Sequence, residues 1–572
     1  MQIKRNKTES VWCLPYLFSI VLIPVIVRNV LCSENLEGYS WYPKTWGRFD
    51  AFMWWKSIAV IILGAVLLMV LIISAGKGKI RFQKMLLPLG VYAGLVILST
   101  VCSIDRTISV NGFFDMYESV YVILSYVVLA VYGAVICWRE EMACKVEWLT
   151  AIGILLIGLI GLTQFIGRDL YQAEFMRGIL NVIGRSEKFF SAVYASLYNP
   201  NYVGMYCCML IPFVFVLCTL HTEKKKQILW FICAAVLMML LVGCRSKSTT
   251  LLLIPCLLFC IFLLGRNSRK RAGIVMCLFL LLYLGFNLVY ARAYDSNLLE
   301  KTFDTIYWNG KGEDDYRLTD IFTDDDGLRI CYDGKEYRLI DDTKTGQLLL
   351  EDITTKERKK LPLQELRITK DTDGESDGYT VTSEGYSFSF VYDKTAKKYL
   401  YRNFNGCLVE LVPSKTWDCP LFHVFGGMSG RGYIWRKSVP LLSDSLILGS
   451  GADTYGLRFP QQDYISIVQS GYGSRYITKP HNLYLQIAVQ SGVCSLLALA
   501  VFYGWYFVSS IRLYQRCTFQ NPLQRTGMAV FVATTGYLCS GMLNDSTIGI
   551  SIIFYSLLGI GIGCNKQIVK QL

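Results

Sequence analysis

Residues 227–265 read QILWFICAAVLMMLLVGCRSKSTTLLLIPCLLFCIFLLG. Two apolar blocks, 227–244 and 248–265, are parted only by the turn 245–247. Each is close to the length that crosses about 30 Å of hydrocarbon. Lys224, Lys225 and Lys226 precede the pair, and Arg266, Arg269, Lys270 and Arg271 follow it. Two membrane spans joined as a hairpin, with both basic ends on one side, account for the pattern. Arg245 then stands at the opposite membrane face.

The same reading extends along the chain. Twelve apolar blocks stand at about 12–32, 56–75, 85–101, 119–138, 147–167, 201–220, 227–244, 248–265, 272–291, 483–509, 526–543 and 547–564. The first exceeds a signal-peptide core and no small-residue cleavage site follows it, so it is expected to remain as a span. Lys and Arg fill alternate connections: Lys4, Arg5 and Lys7; Lys77, Lys79, Arg81 and Lys84; the two clusters above; Arg512, Arg516 and Arg525; then Lys566 and Lys570. The positive-inside rule puts these, with both termini, in the cytoplasm. Connections 33–55, 102–118, 168–200, 245–247, 292–482 and 544–546 are expected outside. The expected fold is an all-α polytopic membrane protein of about twelve transmembrane helices, with a small extracytoplasmic β-rich insert.

Composition agrees. The 572-residue chain is 53% hydrophobic and 18% charged, against about 25% charged for soluble domains. A soluble enzyme, a secreted disulfide scaffold and a disordered chain are excluded. The net charge of +13 is uneven: residues 301–415 hold 23 of the 44 acidic and 18 of the 57 basic residues, leaving the rest at +18. The basic residues sit in short loops rather than on one soluble face, so nucleic acid is not an expected partner. Most of the 20 cysteines lie in apolar blocks and no CxxC occurs. Cys331, Cys407 and Cys419 lie in polar sequence, where pairing is open.

The 292–482 connection has two parts. Residues 310–412 alternate in strand fashion, with hairpin signals at Asp333-Gly334 and Asn405-Gly406. Residues 416–482 carry Trp417, Trp435 and the glycine-rich GGMSGRGY and LGSGADTYG. The expected division is 1–292, nine spans; 300–415, the β-rich insert; 416–482, a large outer loop; and 483–572, three spans. Within 168–200, aromatic residues mixed with Arg168, Arg177, Arg185 and Lys188 suit short interfacial helices or an ordinary loop.

Three polar features meet the outer face. Arg245 is costly between two apolar blocks unless paired or hydrated, though a snorkelling Arg would also fit. Arg431, flanked by Gly430 and Gly432, and Arg436 occur in SGRGYIWRKSVPLL. His481 and Asn482 open the tenth span in KPHNLYLQIAVQSG. At a helix start the dipole suits a neutral imidazole acting as base, while a capping role remains the plainer alternative. His221 and His423 have less telling settings. Residues 373–384 carry a calcium-loop-like spacing, but a hairpin turn is preferred because the flanks read as strands. Asp324-Asp325-Asp326 reads as a turn. No P-loop, nucleophile elbow, HExxH or histidine cluster occurs, so no metal and no cofactor are expected.

Taken together, these pieces resemble the O-antigen ligase and polysaccharide polymerase superfamily. SIDRTISVNGFFDMYESVYVILSY looks like its early outer loop, LYNPNYVGMYCCMLIP its Asn-Pro-Asn entry to a middle span, and LLVGCRSKST its Arg-bearing turn. SGRGYIWRKSVPLLSDSLILGSGADTYGLRFP followed by KPHNLYLQIAVQSGVCSLLAL resembles the large outer loop and the helix after it. The resemblance covers about 100–292 and 416–564 and leaves out the β-rich insert. It implies a GT-C-type fold and an inverting, metal-independent glycosyltransferase. It also implies an undecaprenyl-diphosphate-linked oligosaccharide as donor, at the outer face of the bacterial inner membrane. The acceptor would be a glycan, lipid or protein. The family's functional residues fall on Arg245, Arg431 and His481 as the catalytic set. Asp545 matches a position where some relatives carry an acid, and it joins Arg436 and Asn482 as candidate substrate contacts. Cys244 departs from the commoner Ser.

The chemistry suits these residue types: guanidiniums hold a diphosphate bidentately, and a neutral His takes a proton from an acceptor hydroxyl. O-linked protein glycosylation is the same-class alternative. A lipid-linked glycan flippase would be expected to show intramembrane charge and internal repeats, which are missing. A sensor built on the β-rich insert would leave Arg245 and His481 without a task.

Overall fold

The computed structural model describes residues 11–32, 36, 38–42, 48–78, 80, 83–180, 192–294, 316–324, 327–342, 347–362, 365–372, 377–411, 414–417, 419, 431–473 and 475–572. The protein is mostly helical, and it is a polytopic membrane protein. Its apolar helices are α1 (Leu14–Val25), α2 (Trp54–Gly76), α3 (Lys84–Val101), α4 (Val120–Val135), α5 (Glu140–Phe165), α6 (Pro200–Leu220), α7 (Lys224–Gly243), α8 (Lys247–Leu263) and α9 (Arg266–Tyr294). After the strand-rich region come α10 (Arg431–Ser438), α11 (Leu483–Ser491), α12 (Val493–Tyr514), α13 (Pro522–Ser540) and α14 (Ile548–Gln571). Among the described residues, eight helices are long and apolar enough to cross a membrane, and α1, α4 and α8 are shorter apolar helices. The first predicted block ends early: Pro24 lies in the last turn of α1, and the chain is extended from Ile26.

Burial separates centre from rim. The most apolar window of α14 is wholly buried and that of α6 is 94% buried, against 17% for α2 and 28% for α9 and α12. The rim helices turn Ile62, Ile72, Leu281 and Val501 outward, as helices in contact with lipid do. Small residues let the central helices close up. A Cβ on Gly133 of α4 would lie 2.6 Å from the Gly559 carbonyl carbon of α14. One on Gly536 of α13 would lie 2.1 Å from the Cys208 carbonyl oxygen of α6.

The tenth predicted span, 483–509, is not one helix. It breaks at Gly492, whose φ is +100°. The chain at 445–451 lies against the break and takes over its hydrogen bonds. Val493 N and Cys494 N donate to Ser445 and Leu446 carbonyls, while Ser450 N and Gly451 N donate to Val489 and Gln490 carbonyls. A side chain on Gly492 would collide with Ile447 O at 2.4 Å. The short α11 is therefore a separate helix packed with the 445–451 segment, and α12 begins afresh after Gly492.

A two-stranded hairpin, β1 (Val30–Cys32) with β2 (Arg48–Asp50), precedes α2. Between α9 and α10 stand two five-stranded antiparallel meanders. The first runs from β3 (Leu318–Asp324) to β7 (Arg358–Lys360), the second from β8 (Leu366–Thr372) to β12 (Leu408–Val409), each in chain order. Alternation buries Ile321, Leu328, Ile330 and Leu350 in one sheet and Val381, Phe388, Phe390 and Tyr401 in the other. Asp333 and Gly334, both at positive φ, make the expected two-residue turn between Tyr332 and Lys335. Asn405-Gly406 instead sits in a longer loop, because Asn403 Oδ1 accepts from Asn405 N and Cys407 N and widens it. Asn403 Nδ2 also donates to Ser40 O and Tyr464 OH, tying the sheets to the helical body. Cys331, Cys407 and Cys419 are free thiols. Of the calcium-like stretch, 373–376 lies outside the described residues, as do Asp325, Asp326, His423 and the 181–191 part of the proposed interfacial segment. The described part of that segment forms a 3₁₀ turn, Leu170–Gln172, and a short helix, Glu174–Leu180.

Candidate functional site

The site forms where α10, α11 and the turn after α13 meet the first turn of α6. Asn482 starts α11: its Oδ1 accepts from Tyr484 N and Leu485 N, both at 3.0 Å. Its Nδ2 donates to Met542 O at 3.0 Å, and Leu483 N donates to Gly541 O at 2.8 Å. The helix start is thereby joined to the 541–547 turn. The cap is Asn482 and not His481, because only Asn482 has the extended backbone, φ −156° and ψ 113°, that turns a short oxygen onto the open amides. His481 takes the left-handed conformation, φ +51°, a strain that non-glycine residues carry mainly where surroundings enforce it.

That strain puts the imidazole against Asp545. Nδ1–H donates to Asp545 Oδ2 at 2.9 Å. A carboxylate can only accept, so the pair fixes the tautomer and leaves Nε2 with its lone pair. The His481 side chain is 31% exposed, while that of Asp545 is 1% exposed. Burial pushes the Asp545 carboxyl up, but His481, Lys479 and Arg431 outweigh it and hold it below the usual carboxylate range. Among the described residues nothing donates a hydrogen bond to its Oδ1.

Arg431 arrives on α10. Four residues on, along the same helix face, Trp435 Nε1 donates to Pro480 O at 2.9 Å and clamps α10 to the segment before His481. The far end of α10 is held by Lys437 on Asp463 (2.6 Å) and by Ser438 on Tyr455 (2.7 Å). Among the described residues the Arg431 guanidinium has no hydrogen-bond partner, and it acts on Asp545 through space. Arg436 is buried, and its carbonyl accepts from Trp417 N.

Arg245 stands apart. Its backbone is left-handed, its Nε donates to Tyr290 OH at 2.7 Å, and its guanidinium lies 5.1 Å from that ring. The turn that carries it still abuts α6, because Gly204 has only Ser246 and Thr249 against it. Arg245 thus shares the α6 end of the bundle with the His481 group, on contacts of its own.

Sequence reading missed two neighbours. Lys479 Nζ donates to Tyr202 OH of α6 at 2.7 Å and lies 3.4 Å from Met116 Sδ. Glu118 is fully buried. It accepts from Tyr126 OH at 2.9 Å and Ser546 OH at 2.7 Å, and Gln486 Nε2 stands 3.5 Å away. Ser546 N in turn donates to Gln486 Oε1 at 2.8 Å, so Glu118 and Gln486 grip the turn that presents Asp545. The signal for Lys479 was its place two residues before His481. Glu118 gave none, lying in an early loop more than 350 residues from Gln486.

The 112–119 segment also borders a cavity of about 710 Å³. Leu31, Trp54, Ile58, Ile61 and Tyr117 give it an apolar wall, and Asp105, Thr107, Asn111 and Ser119 a polar one. Among the described residues, no three His, Cys, Asp or Glu side chains are grouped to hold a metal ion.

A search of curated proteins finds no match. A protein-family model described as O-antigen ligase matches residues 385–500. The matched stretch starts within the second β sheet, earlier than the boundary near 416 expected from sequence. It takes in Arg431, Arg436, Lys479, His481 and Asn482, while Glu118, Arg245 and Asp545 lie outside it. The match at 385–500, set within this polytopic helical body, supports membership of the O-antigen ligase and polysaccharide polymerase superfamily, whose work is glycan transfer.

Proposed function

We propose that the protein transfers a glycan from an undecaprenyl-diphosphate-linked donor to an acceptor at the outer face of a bacterial inner membrane. The observation that carries this reading is the His481–Asp545 pair with Arg431 and Lys479 beside it. His481 Nε2 takes the proton of the acceptor hydroxyl. The acceptor oxygen bonds to the anomeric carbon, and the bond from that carbon to the diphosphate oxygen breaks. Polyprenyl diphosphate leaves with the electron pair. Attack opposite the leaving group inverts the anomeric centre, and a diphosphate departs without a strong acid or a metal ion. Arg431 and Arg245 hold the phosphates. Asp545 orients His481 rather than touching substrate, and Asn482 caps α11. Arg436 stays a candidate substrate contact. The apolar wall of the cavity beside Tyr117 suits the first part of a lipid tail.

This reading takes twelve membrane crossings, a GT-C-type bundle and cytoplasmic termini. It divides the chain into spans to 292, an accessory β unit at 300–415, a catalytic loop at 416–482 and the remaining spans. Placing α13 and the shorter apolar helices among the crossings supports the twelve, and the Lys and Arg asymmetry supports the orientation. The test is reconstitution with a lipid-diphosphate oligosaccharide and a panel of glycan, lipid and protein acceptors. A product ladder assigns a polymerase; one added block assigns a ligase. A protein acceptor modified in preference would assign O-linked protein glycosylation, and no transfer to any acceptor by folded protein would sink the proposal.

A further inference from the structure

Lys479 is a cation at the site with hydrogen-bonding capacity to spare. An ammonium carries three N–H donors. One goes to Tyr202 OH at 2.7 Å, and Met116 Sδ at 3.4 Å is a weak acceptor. The rings of Tyr202 and Tyr198 lie 5.2 and 6.0 Å away. Among the described residues no carboxylate is within ion-pair distance of it.

The chain's structural lysines end differently. Lys437 meets the Asp463 carboxylate at 2.6 Å, and Lys56 meets the Ser196 carbonyl at 2.5 Å. A lysine that only braced the fold would be expected to finish on such acceptors, since a sheltered charge is costly without them. Lys479 finishes on a phenol and a thioether. Two carboxyls feel its charge through space without pairing with it: Asp115, which burial pushes upward, and Asp545, which Arg431 and His481 already share. At Asp545 the charges of Lys479 and Arg431 converge next to the nitrogen that would take a proton.

We propose that Lys479 binds the phosphate-bearing part of the donor, sharing the diphosphate with Arg431. This rests on the lipid-diphosphate reading above. The ammonium acts as a point charge, and Arg431 supplies the directional fork. Tyr202 and Met116 hold the lysine stem so that its open N–H faces the site.

The test uses the full chain in lipid nanodiscs. Binding is measured for a short-chain polyprenyl diphosphate, the polyprenol of the same tail, and inorganic pyrophosphate. Wild type is expected to prefer the lipid diphosphate to the polyprenol by at least about tenfold. Lys479→Met is expected to lose about ten- to hundredfold for the lipid diphosphate, as loss of a charge-assisted hydrogen bond would give, while binding the polyprenol unchanged. Pyrophosphate, bound more weakly, is expected to lose the same factor. Three results would overturn the proposal: undiminished diphosphate binding by Lys479→Met, an equal loss for diphosphate and polyprenol, or a loss for the lipid diphosphate but not for pyrophosphate. Should Lys479→Met not fold, Lys479→Arg decides: folded protein that keeps the charge but drops the diphosphate preference contradicts it. A wild type without that preference removes the donor reading itself, before any variant is made.

Discussion

Two histidine–carboxylate pairs stand at opposite ends of α6, about 30 Å apart for a helix of that length. At its start, reached through Lys479 and Tyr202, His481 donates to Asp545 at 2.9 Å. Just past its end, His221 Nε2–H donates to Glu147 at 3.0 Å. The chemistry is the same, but the surroundings are not. Glu147 spends its second oxygen on Thr526 OH at 2.7 Å, and the His221 carbonyl accepts from Gln227. Both side chains are sealed, at 3% and 6% exposure. Among the described residues Asp545 Oδ1 has no partner, and His481 is partly open on a strained backbone beside two cations. A buried pair whose carboxylate oxygens are both engaged holds helices together. One with valences left open is prepared for a ligand.

Removing each histidine is the strongest way to break this comparison. His481→Ala is expected to lower transfer by roughly 10²–10⁴, with little change in melting temperature. His221→Ala should do the opposite. It strands Glu147 with Thr526 as its remaining partner, and breaking a buried pair costs on the order of 3–5 kcal/mol. The expected reading is a clear fall in melting temperature with near-normal turnover per folded molecule. If folded His221→Ala protein were inactive, the two ends would have to share the chemistry and the contrast would fail.

How much of this was legible in the chain follows from the range of each interaction. Apolar blocks are local, so the helices could be placed from hydropathy, and Asp333-Gly334 announced its own turn. The break at Gly492 was hidden because its cause, the chain at 445–451, arrives from more than forty residues upstream. His481 and Arg431 were visible as motifs, yet the Asp545 partnership spans 64 residues. Asn482 is a candidate substrate contact that also serves as the cap, and sequence does not separate the two roles because an N-cap and a ligand contact have the same residue preference. Lys479 was passed over, since nothing local marks a lysine that ends on a phenol.

A second test sharpens the contrast through Glu118, which has hydrogen bonds but, among the described residues, no cation paired with it. Burial pushes its carboxyl up from 4.5 to about 7, Asp545 adds to this, and Ser546, Tyr126 and Gln486 act the other way. The folded protein then holds a proton that the unfolded chain releases between about 4.5 and 7. Stability from this source is greatest below the unfolded value and falls as pH rises through 7, by about 3 kcal/mol in all. Asp115 is displaced upward too, by burial above all, so the difference between proteins is what counts. Melting curves between pH 5 and 8 should slope less for Glu118→Gln than for wild type. Parallel slopes would mean that Glu118 does not titrate there.

Arg431→Lys probes the open end at smaller scale. The charge stays and the planar fork is lost. A charge-assisted hydrogen bond is worth about 1.5–3 kcal/mol, so transfer should fall about ten- to hundredfold with the fold intact. Arg245→Lys is expected at the lower end of that range, because Tyr290 already occupies part of its guanidinium. Wild-type rates and donor affinity in both variants would remove the arginines from the site.

The smallest effect distinguishes support from chemistry at a single position. Asn482 adjoins His481, yet its oxygen serves two backbone amides and its nitrogen serves Met542 O. If that is its whole task, Asn482→Ala loses a cap worth about 1 kcal/mol. The melting temperature should drop by a few degrees, and Ser, another good cap, should restore most of it. Transfer should change only a few-fold, because α11 remains tied to the 541–547 turn through Leu483 N and Gly541 O. A substrate contact behaves otherwise: Ala and Ser would both raise KM for the acceptor, with the melting temperature unmoved. That second pattern would extend the open valences from His481 to its neighbour and move the edge of the site one residue into α11.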